Sequence, residues 1–143
     1  MNIVVCVKRV PDTAAEKNLD PADFTLDREN VEAIVNPVDE YGIEEALKLK
    51  EQHGGEVTVL TMGPAGAEKD AVGKALAMGA DKGVMVTDDV LHGSDSMATA
   101  YTLSLALAQQ DFDLVLMGAE APDSRNSLVP QAVAQYLALP GLT

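Results

Sequence analysis

The chain has 143 residues and a formal net charge of −13, from 10 lysines and arginines against 23 aspartates and glutamates. This charge disfavours nucleic-acid phosphates and anionic membranes as non-specific partners, so any bound phosphate needs local positive groups. One cysteine excludes an internal disulfide, and two unclustered histidines disfavour a zinc site. We therefore predict a single domain over residues 1–143, with no metal site.

The composition also bears on where the protein works. The first residues enter an apolar run directly, with no basic leader, and no apolar run approaches the roughly 18 residues of a membrane span. The chain has no Trp, two Phe and three Tyr, so we do not expect it to recognise nucleic-acid bases mainly by stacking aromatic rings on them. We expect a soluble, cytoplasmic protein.

The chain opens with a β-branched run, Ile3 to Val7, which predicts a central parallel strand ended by Pro11. Lys8 and Arg9 follow that strand. Their positive side chains are equally compatible with contact to a nucleotide, contact to an acidic surface of a partner, or exposure to solvent. Residues 13–30 are polar and weakly periodic, with a short edge strand expected at 24–27. Long excursions of this kind in compact domains are more often functional than idle.

The next segment predicts a helix that starts after Asn36 and runs to about Gln52. Pro37 holds Asn36 extended and is preset for a first helical turn, while Asp39 and Glu40 suit the positive end of the helix. Two carboxylates there repel phosphate, so we expect Asn36, with its amide free, to bond a base or a ribose. Glu44 and Lys48 are predicted to form an i,i+4 pair.

Strands and helices then alternate with short connections. We predict a strand at 56–62, a helix at 67–78, a strand at 82–87, a helix capped by Ser94 that runs to Gln110, and a strand from Leu114. This order favours an α/β fold with a doubly wound parallel sheet. The helix after Ser94 is apolar on more than one stripe, which predicts burial between the sheet and a neighbour. Residues 139–143 resemble the start of another strand.

The stretch from Leu114 to Pro130 is the strongest functional candidate. It reads as a buried strand, a polar loop from Gly118, and a helix capped by Ser127, in whose first turn Pro130 is tolerated. In parallel α/β sheets, ligands bind beyond the carboxyl ends of the strands, and a helix amino terminus favours phosphate. An ordinary loop between strand and helix is the alternative.

Other motifs do not predict chemistry. The glycines from Gly66 to Gly73 have the wrong spacing for a phosphate loop, and the dinucleotide fingerprint is absent after the first strand. His92 has no neighbouring nucleophile, and Cys6 lies in an apolar strand, which predicts an inert buried thiol. We expect no catalytic residues and no independent enzyme.

Four motifs in order resemble the beta subunit of electron transfer flavoprotein. They are Val4 to Asp12, Asn36 to Leu47, Lys74 to Lys82 and Asp113 to Gly118. The resemblance implies an adenine nucleotide α-hydrolase-like, Rossmann-like sandwich that buries AMP or, in electron-bifurcating members, a second FAD. It also implies a heterodimer with an FAD-bearing alpha subunit, which carries electrons from dehydrogenases to an acceptor.

The resemblance also implies site residues. By position, Cys6 lines the adenine side through its backbone, and Met62 forms a further wall. The segment between them in the chain contributes Asn36, Pro37, Val38 and Asp39. The phosphate-binding loop is formed by Gly118, Ala119, Glu120, Ala121, Pro122, Asp123, Ser124, Arg125, Asn126, Ser127, Leu128 and Val129.

This chain departs from the family in two ways. The family loop usually carries Asp, Gly, Asn or Thr where this chain has Ser124-Arg125-Asn126, and family members are longer. We expect Arg125 to clamp phosphate oxygens, with a solvent-facing Arg125 paired to Asp123 as the alternative.

Two further function classes remain open from the residues. One is a free-standing adenine-nucleotide-binding regulatory module of the universal stress type, and the other is a nucleotide hydrolase or ligase of the same superfamily. The glycine-rich phosphate signature of the first is missing after Gly118. The second lacks phosphate-loop glycines and a catalytic base.

Overall fold

The structure is a computed structural model that describes the backbone of residues 1–143 and the side chains of residues 1–67 and 69–143. A 3₁₀ turn spans Asp89–Leu91, and the remaining elements are three successive strands followed by alternating helices and strands. They are β1 (Asn2–Cys6), β2 (Arg9–Pro11), β3 (Ala33–Val35), α1 (Pro37–His53), β4 (Glu56–Met62), α2 (Glu68–Met78), β5 (Lys82–Val86), α3 (Ser96–Leu107), β6 (Leu114–Met117) and α4 (Val129–Tyr136).

The main sheet has four parallel strands in the order β5-β4-β1-β6. Ile3 of β1 pairs with Val57 of β4 on one side and with Leu114 of β6 on the other. The β-branched run of β1 is buried on both faces, as a central parallel strand requires. The parallel sheet predicted from the sequence is confirmed.

Helices cover both faces of this sheet, so the fold is doubly wound. Ile3 and Val5 lie in a core with α1 and α2, whereas Val4 and Cys6 lie in a second core with α3 and α4. The alternation follows from the period of two along a strand. The chain leaves β1 toward β4 on one side and later places β6 on the other, so the topological switch point lies between β1 and β6.

The polar excursion after β1 forms a separate hairpin. β2 and β3 pair antiparallel, and we call residues 12–32 between them the arm. The edge strand predicted at 24–27 is wrong, since the arm has only an isolated bridge between Leu19 and Leu26. Asp20 and Asp23 explain this, because each side chain accepts a backbone N–H two residues later and bends the chain into turns.

Several local predictions about helices and the last residues need correction. Asp95, rather than Ser94, caps α3 by accepting the N–H of Ala98, and α3 ends at Leu107. Its stripe of Met97, Tyr101 and Leu105 is largely exposed in this chain, because α3 packs on the sheet mainly through Ala100, Leu103 and Leu107, while the Tyr101 ring contacts Tyr136 of α4. Lys48 pairs with Glu45, three residues away, instead of Glu44. Residues 139–143 form no strand.

Candidate functional site

The first turn of α1 meets the loop after β6 at the switch point. Asn36 is the N-cap of α1, and its Oδ1 accepts the N–H of Val38 at 3.2 Å. Its Nδ2 donates to the carbonyl of Glu120 at 2.9 Å. Asn36 is only 1% exposed. The prediction of a free Asn36 amide is therefore wrong, because helix capping and the loop after β6 use both ends of that amide.

Asp39 joins the ends of two neighbouring strands. Its Oδ2 accepts the N–H of Lys8, just after β1, at 2.8 Å. Its Oδ1 accepts the N–H of Gly118, just after β6, at 3.2 Å. The side chain is buried, and a Cβ on Gly118 would lie 2.2 Å from Asp39 Oδ1. The residue after β6 must therefore lack a side chain for this contact to form.

Burial sets the acid–base properties of this corner. It raises the pKa of Asp39 to about 6, although the hydrogen bonds from the backbone N–H groups of Lys8 and Gly118 and the nearby Asn36 amide act in the opposite direction. Burial, with the nearby charge of Asp39, raises the pKa of the Cys6 thiol to about 12. Cys6 is thus a buried thiol of low reactivity, as its place in the sequence predicted.

The loop between β6 and α4, residues 118–128, is a series of tight turns. The N–H groups of Ser124 and Arg125 both donate to the carbonyl of Ala121. Arg125 and Ser127 each have a φ of 50°, a conformation that non-glycine residues rarely adopt. The Asn126 amide donates to the Ser96 hydroxyl at the start of α3. This loop is held in a strained, specific shape, as is common at binding sites.

The start of α4 differs from the prediction. Leu128 is the N-cap residue and makes no capping bond with its side chain. Ser127 instead donates to Glu120 Oε2 at 3.3 Å, so its predicted capping role is wrong, and Asn126 Oδ1 accepts the N–H of Leu128. The positive φ of Ser127 turns its side chain away from the helix end. Pro130 lies in the first turn, as predicted.

Several backbone donors at this point are free. Within the described part of the chain, the N–H groups of Asn126, Ser127 and Val129 have no hydrogen-bond partner. They lie at the amino end of an eight-residue helix, where the helix dipole is positive. Successive free N–H groups in such turns form concavities that attract anions.

Positive side chains surround the same loop. Asp123, whose side chain is fully buried, accepts from Lys8 Nζ at 2.9 Å and from Arg28 Nη2 at 2.7 Å. Lys17 Nζ donates to the carbonyl of Pro122 at 3.0 Å. Burial acts to raise the pKa of Asp123, but the hydrogen bonds and charges of Lys8 and Arg28 outweigh it and lower the pKa below its usual value.

The predicted alternative, in which Arg125 pairs with Asp123, is therefore wrong. Asp123 pairs with Lys8 and Arg28, and among the described side chains none makes a hydrogen bond or an ion pair with the exposed Arg125 guanidinium. The sequence predicted Lys8 as a cation at the end of a strand. The sequence did not indicate that Arg28 or Lys17 belongs to the site, because neither residue lies in a periodic segment.

The arm bridges the loops after the two outer strands of the sheet. Lys17 and Arg28 attach it to the loop after β6, and Asp23 attaches its tip to His92 after β5, with Oδ2 and Nε2 2.8 Å apart. Hydrogen bonding to His92 is the main reason that the pKa of Asp23 is lowered to about 2. The hydrogen bond and charge of Asp23 raise the pKa of His92.

The structure thus brings together only part of the predicted site. Asn36, Asp39, Gly118 and Glu120 are in direct contact. Cys6 lies beside them in β1, in register with Met117 of β6. Met62 ends β4 on the far side of β1, where it packs with the α3 and α4 core. Pro37 is exposed at the start of α1, and Val38 is half-buried near Gly118. The remaining predicted residues follow one another in the loop and the start of α4.

Two open cavities lie elsewhere on the surface. One, of about 260 Å³, is lined by Glu44, Leu47, Lys48, Glu51 and Met78 between α1 and α2. The other, of about 280 Å³, lies at the amino ends of the strands. Across the residues that the structure describes, no group of acidic, His and Cys side chains could hold a metal ion, and no helix is long and apolar enough to cross a membrane.

A doubly wound parallel sheet with a polar loop and a helix amino terminus at its switch point defines the class of α/β ligand-binding proteins. Within this class, the model of the electron transfer flavoprotein domain matches residues 23–143. The chain belongs to the electron transfer flavoprotein domain family. The universal stress alternative is not favoured.

Named relatives agree with this family. Electron transfer flavoprotein subunit beta of Clostridium acetobutylicum is 46% identical over 143 residues, covering 100% of this chain and 54% of that protein. The subunit beta of Mycobacterium leprae is 46% identical over 148 residues, covering 99% and 55%. Protein FixA of Azorhizobium caulinodans is 45% identical over 148 residues, covering 100% and 52%. The chain spans about half the length of the curated relatives it matches.

Proposed function

We propose that this chain is a nucleotide-binding, non-catalytic unit of the electron transfer flavoprotein beta type. It binds the phosphate of AMP, or of a second FAD, in the loop of residues 118–128. It pairs with an alpha subunit that bears FAD, and the pair carries electrons from dehydrogenases to an acceptor. One observation carries the proposal: the free N–H groups of Asn126, Ser127 and Val129 before α4, at the switch point of the sheet.

The charges around the loop support a phosphate ligand in spite of the acidic chain. Lys8 and Arg28 share one carboxylate, Asp123, so this cluster keeps one net positive charge, and Lys17 adds another. Arg125, exposed and unpaired among the described residues, adds a third, and these three charges exceed those of the Glu120 and Asp39 carboxylates beside the loop. Local attraction of this kind is what a phosphate needs in a chain of net charge −13.

The remaining predicted residues suit the nucleoside end. The backbone of Cys6 pairs with Met117 next to Gly118, and the exposed Pro37 opens the first turn of α1. Because Asn36 and Asp39 already use their side chains, main-chain groups and apolar surface would contact the base. The bound flavin supplies the redox chemistry in the heterodimer. This chain's own residues bind and orient the nucleotide and perform no catalytic step.

Mass spectrometry of the denatured, purified protein tests the proposal, because AMP, FAD and ATP leave different masses. We expect AMP or FAD at close to one per chain, and binding of the same nucleotide when the emptied protein is titrated. ATP instead would favour a regulatory or hydrolytic module. A protein that retains no nucleotide and binds neither AMP nor FAD would overturn the proposal.

A further inference from the structure

We infer that Asn36 and Asp39 are positioning residues, which hold the phosphate-binding loop in shape without contacting the nucleotide, and that Asp39 does so only when ionised. The inference rests on the proposed function, since it concerns how the same loop binds its nucleotide. It differs from the resemblance, which makes both residues part of the nucleotide wall.

The first argument is that these side chains are buried and already hydrogen-bonded within the protein. Both oxygens of Asp39 accept backbone N–H groups, at 2.8 and 3.2 Å. Both ends of the Asn36 amide are also used, at 3.2 and 2.9 Å. Asn36 and Asp39 are 1% and 4% exposed. A nucleotide would have to displace the surrounding protein to reach either side chain.

The second argument is that all of these bonds converge on the loop and on the end of β1. Lys8 donates its N–H to Asp39 and accepts the N–H of Asn36 through its carbonyl at 2.8 Å. Its Nζ reaches Asp123 within the loop. The first turn of α1, the end of β1 and both ends of residues 118–123 therefore form one hydrogen-bonded unit. Loss of one bond moves the first residue of the loop, Gly118.

The third argument concerns the charge on Asp39. The groups that face its carboxylate are the Cys6 thiol from β1, the Lys8 cation beyond it, and the Asn36 amide from the helix cap. Its neighbour Glu40 is paired with Lys74 of α2. The hydrogen bond from Gly118 to Oδ1 is longer than the bond from Lys8 to Oδ2. Because the longer bond is the weaker one, we infer that Oδ1 is the oxygen that takes a proton. Protonation there replaces an acceptor with a donor facing the Gly118 N–H, and the loop loses that attachment.

Protonation should have opposite effects on the fold and on the site. Burial raises the pKa of Asp39 from the usual value near 4 to about 6, so the folded state binds this proton more tightly than the unfolded state. The free energy of unfolding from this group therefore rises as the pH falls from 6 to 4. Nucleotide affinity falls over the same range, because the loop loses its attachment. A purely structural role would move both in the same direction.

Titration of the emptied full chain with AMP between pH 5 and 8 tests this, with Asp39→Asn as the variant. The phosphate of AMP itself titrates near pH 6, so the informative quantity is the ratio of the two dissociation constants at each pH. We expect Asp39→Asn to bind AMP about tenfold more weakly at pH 7.5, the effect of one charge-assisted hydrogen bond. The ratio should fall to about two at pH 5, where roughly a tenth of Asp39 is still ionised. A constant ratio overturns the inference.

Asp113→Asn is the matched control. Asp113 Oδ2 accepts the N–H of Asn2 at 2.8 Å, so it makes the same kind of bond at the opposite end of β1. We expect it to bind AMP like the parent at every pH. If Asp113→Asn weakens binding as much as Asp39→Asn, the effect is general loss of stability, and the inference is wrong.

Asn36→Asp gives a second route should Asp39→Asn not fold. Aspartate also caps helices, so α1 keeps its N-cap while the donor to the Glu120 carbonyl is lost. We expect a severalfold loss of AMP affinity with the helix signal in circular dichroism unchanged. Unaltered affinity would show that the tether to Glu120 does not position the loop.

The Gly118 amide provides a readout that needs no nucleotide. In ¹⁵N-labelled protein, its chemical shift should titrate with the pKa of Asp39 in the parent and stay flat in Asp39→Asn. AMP binding with a Gly118 amide that does not titrate overturns this inference and leaves the proposed function intact. A titrating amide in a chain that binds neither AMP nor FAD overturns the proposed function, and the inference with it.

Discussion

The carboxylate of Asp39 and the backbone N–H of Gly118 are joined by a 3.2 Å hydrogen bond, and a side chain on Gly118 would occupy the position of the carboxylate oxygen. Asp39 lies in the first turn of α1, and Gly118 directly follows β6. The bond therefore fixes the point at which the chain leaves the sheet to form the loop of residues 118–128. Close approach of this kind explains why glycine is required there.

Gly118→Ala should destabilise the protein and weaken nucleotide binding. The new Cβ would lie 2.2 Å from Asp39 Oδ1 and 3.2 Å from Val38 Cγ1, so the carboxylate and the helix turn must shift. We expect a loss of about 1–3 kcal/mol in the free energy of unfolding, measured by chemical denaturation. Gly42→Ala in α1 is the control, because its Cβ would make only an ordinary contact with Val5. Equal losses in both variants would contradict the steric argument.

Asp123 should make the protein sensitive to acid. Its pKa is lowered in the folded state, so its contribution to stability is complete above the unfolded pKa near 4 and is lost as the pH falls through the folded value. The parent should lose more of its free energy of unfolding between pH 5 and 2 than Asp123→Asn does. Asp111→Asn removes an exposed carboxylate and should behave like the parent. Parallel pH profiles for all three proteins would refute this role of Asp123.

Arg125 should contribute to AMP binding through its planar guanidinium as well as through its positive charge. Its guanidinium is exposed, and in the chain it directly precedes Asn126 and Ser127, whose N–H groups are free. We expect Arg125→Lys to weaken binding measurably and Arg125→Ala to weaken it more, since lysine keeps the charge but loses the two-pronged contact. Lys48→Ala, which removes one positive charge from α1 outside the loop, is the control and should bind AMP like the parent. If both Arg125 variants bind like the parent at low and moderate salt, the backbone alone holds the phosphate.

The contact between Asp23 and His92 should make the arm sensitive to pH. The pKa of His92 is raised, so its attraction to Asp23 is complete below the usual value near 6.5 and is lost as the pH rises through the folded value. Hydrogen exchange within residues 12–32, corrected for its intrinsic pH dependence, should show less protection above that pH and in Asp23→Asn at all pH values. Asp89→Asn changes the loop of His92 without removing a described bond to the arm. Equal protection in Asp23→Asn and the parent would refute the contact.

The purified chain alone should be colourless or nearly so. It offers one nucleotide site, which we assign to AMP or a second FAD, and the redox flavin of the proposed heterodimer belongs to the alpha subunit. Absorbance near 450 nm should become stable only after co-purification with such a subunit. Stoichiometric FAD on the isolated chain would favour the bifurcating type and exclude AMP as its ligand.

The order of elements and the position of the candidate loop could be predicted from the sequence because their causes are local. Runs such as Ile3 to Val7 and Leu114 to Met117 lack polar residues and are too short for a helix, so they favour strands, although β6 lies at the sheet edge and is only half-buried. Pro37 begins α1 because its φ is fixed at a helical value, and the glycines after α1 end it because they adopt backbone conformations that other residues avoid. Caps were predicted less well, since Asp95 and Ser94, or Asn126 and Ser127, are equally able to accept an N–H.

The sequence by itself determined a doubly wound α/β fold with a polar loop and a helix start at its switch point. The tertiary structure alone decided what the side chains around that loop do. Asn36 and Asp39 contact residues 84 and 79 positions away, and Asp123 takes its partners from 95 and 115 positions away. A side chain able to bond a ligand is equally able to bond the protein, and burial makes it use the nearest partner. Which partner is nearest depends on how the strands and helices pack, which no local pattern specifies.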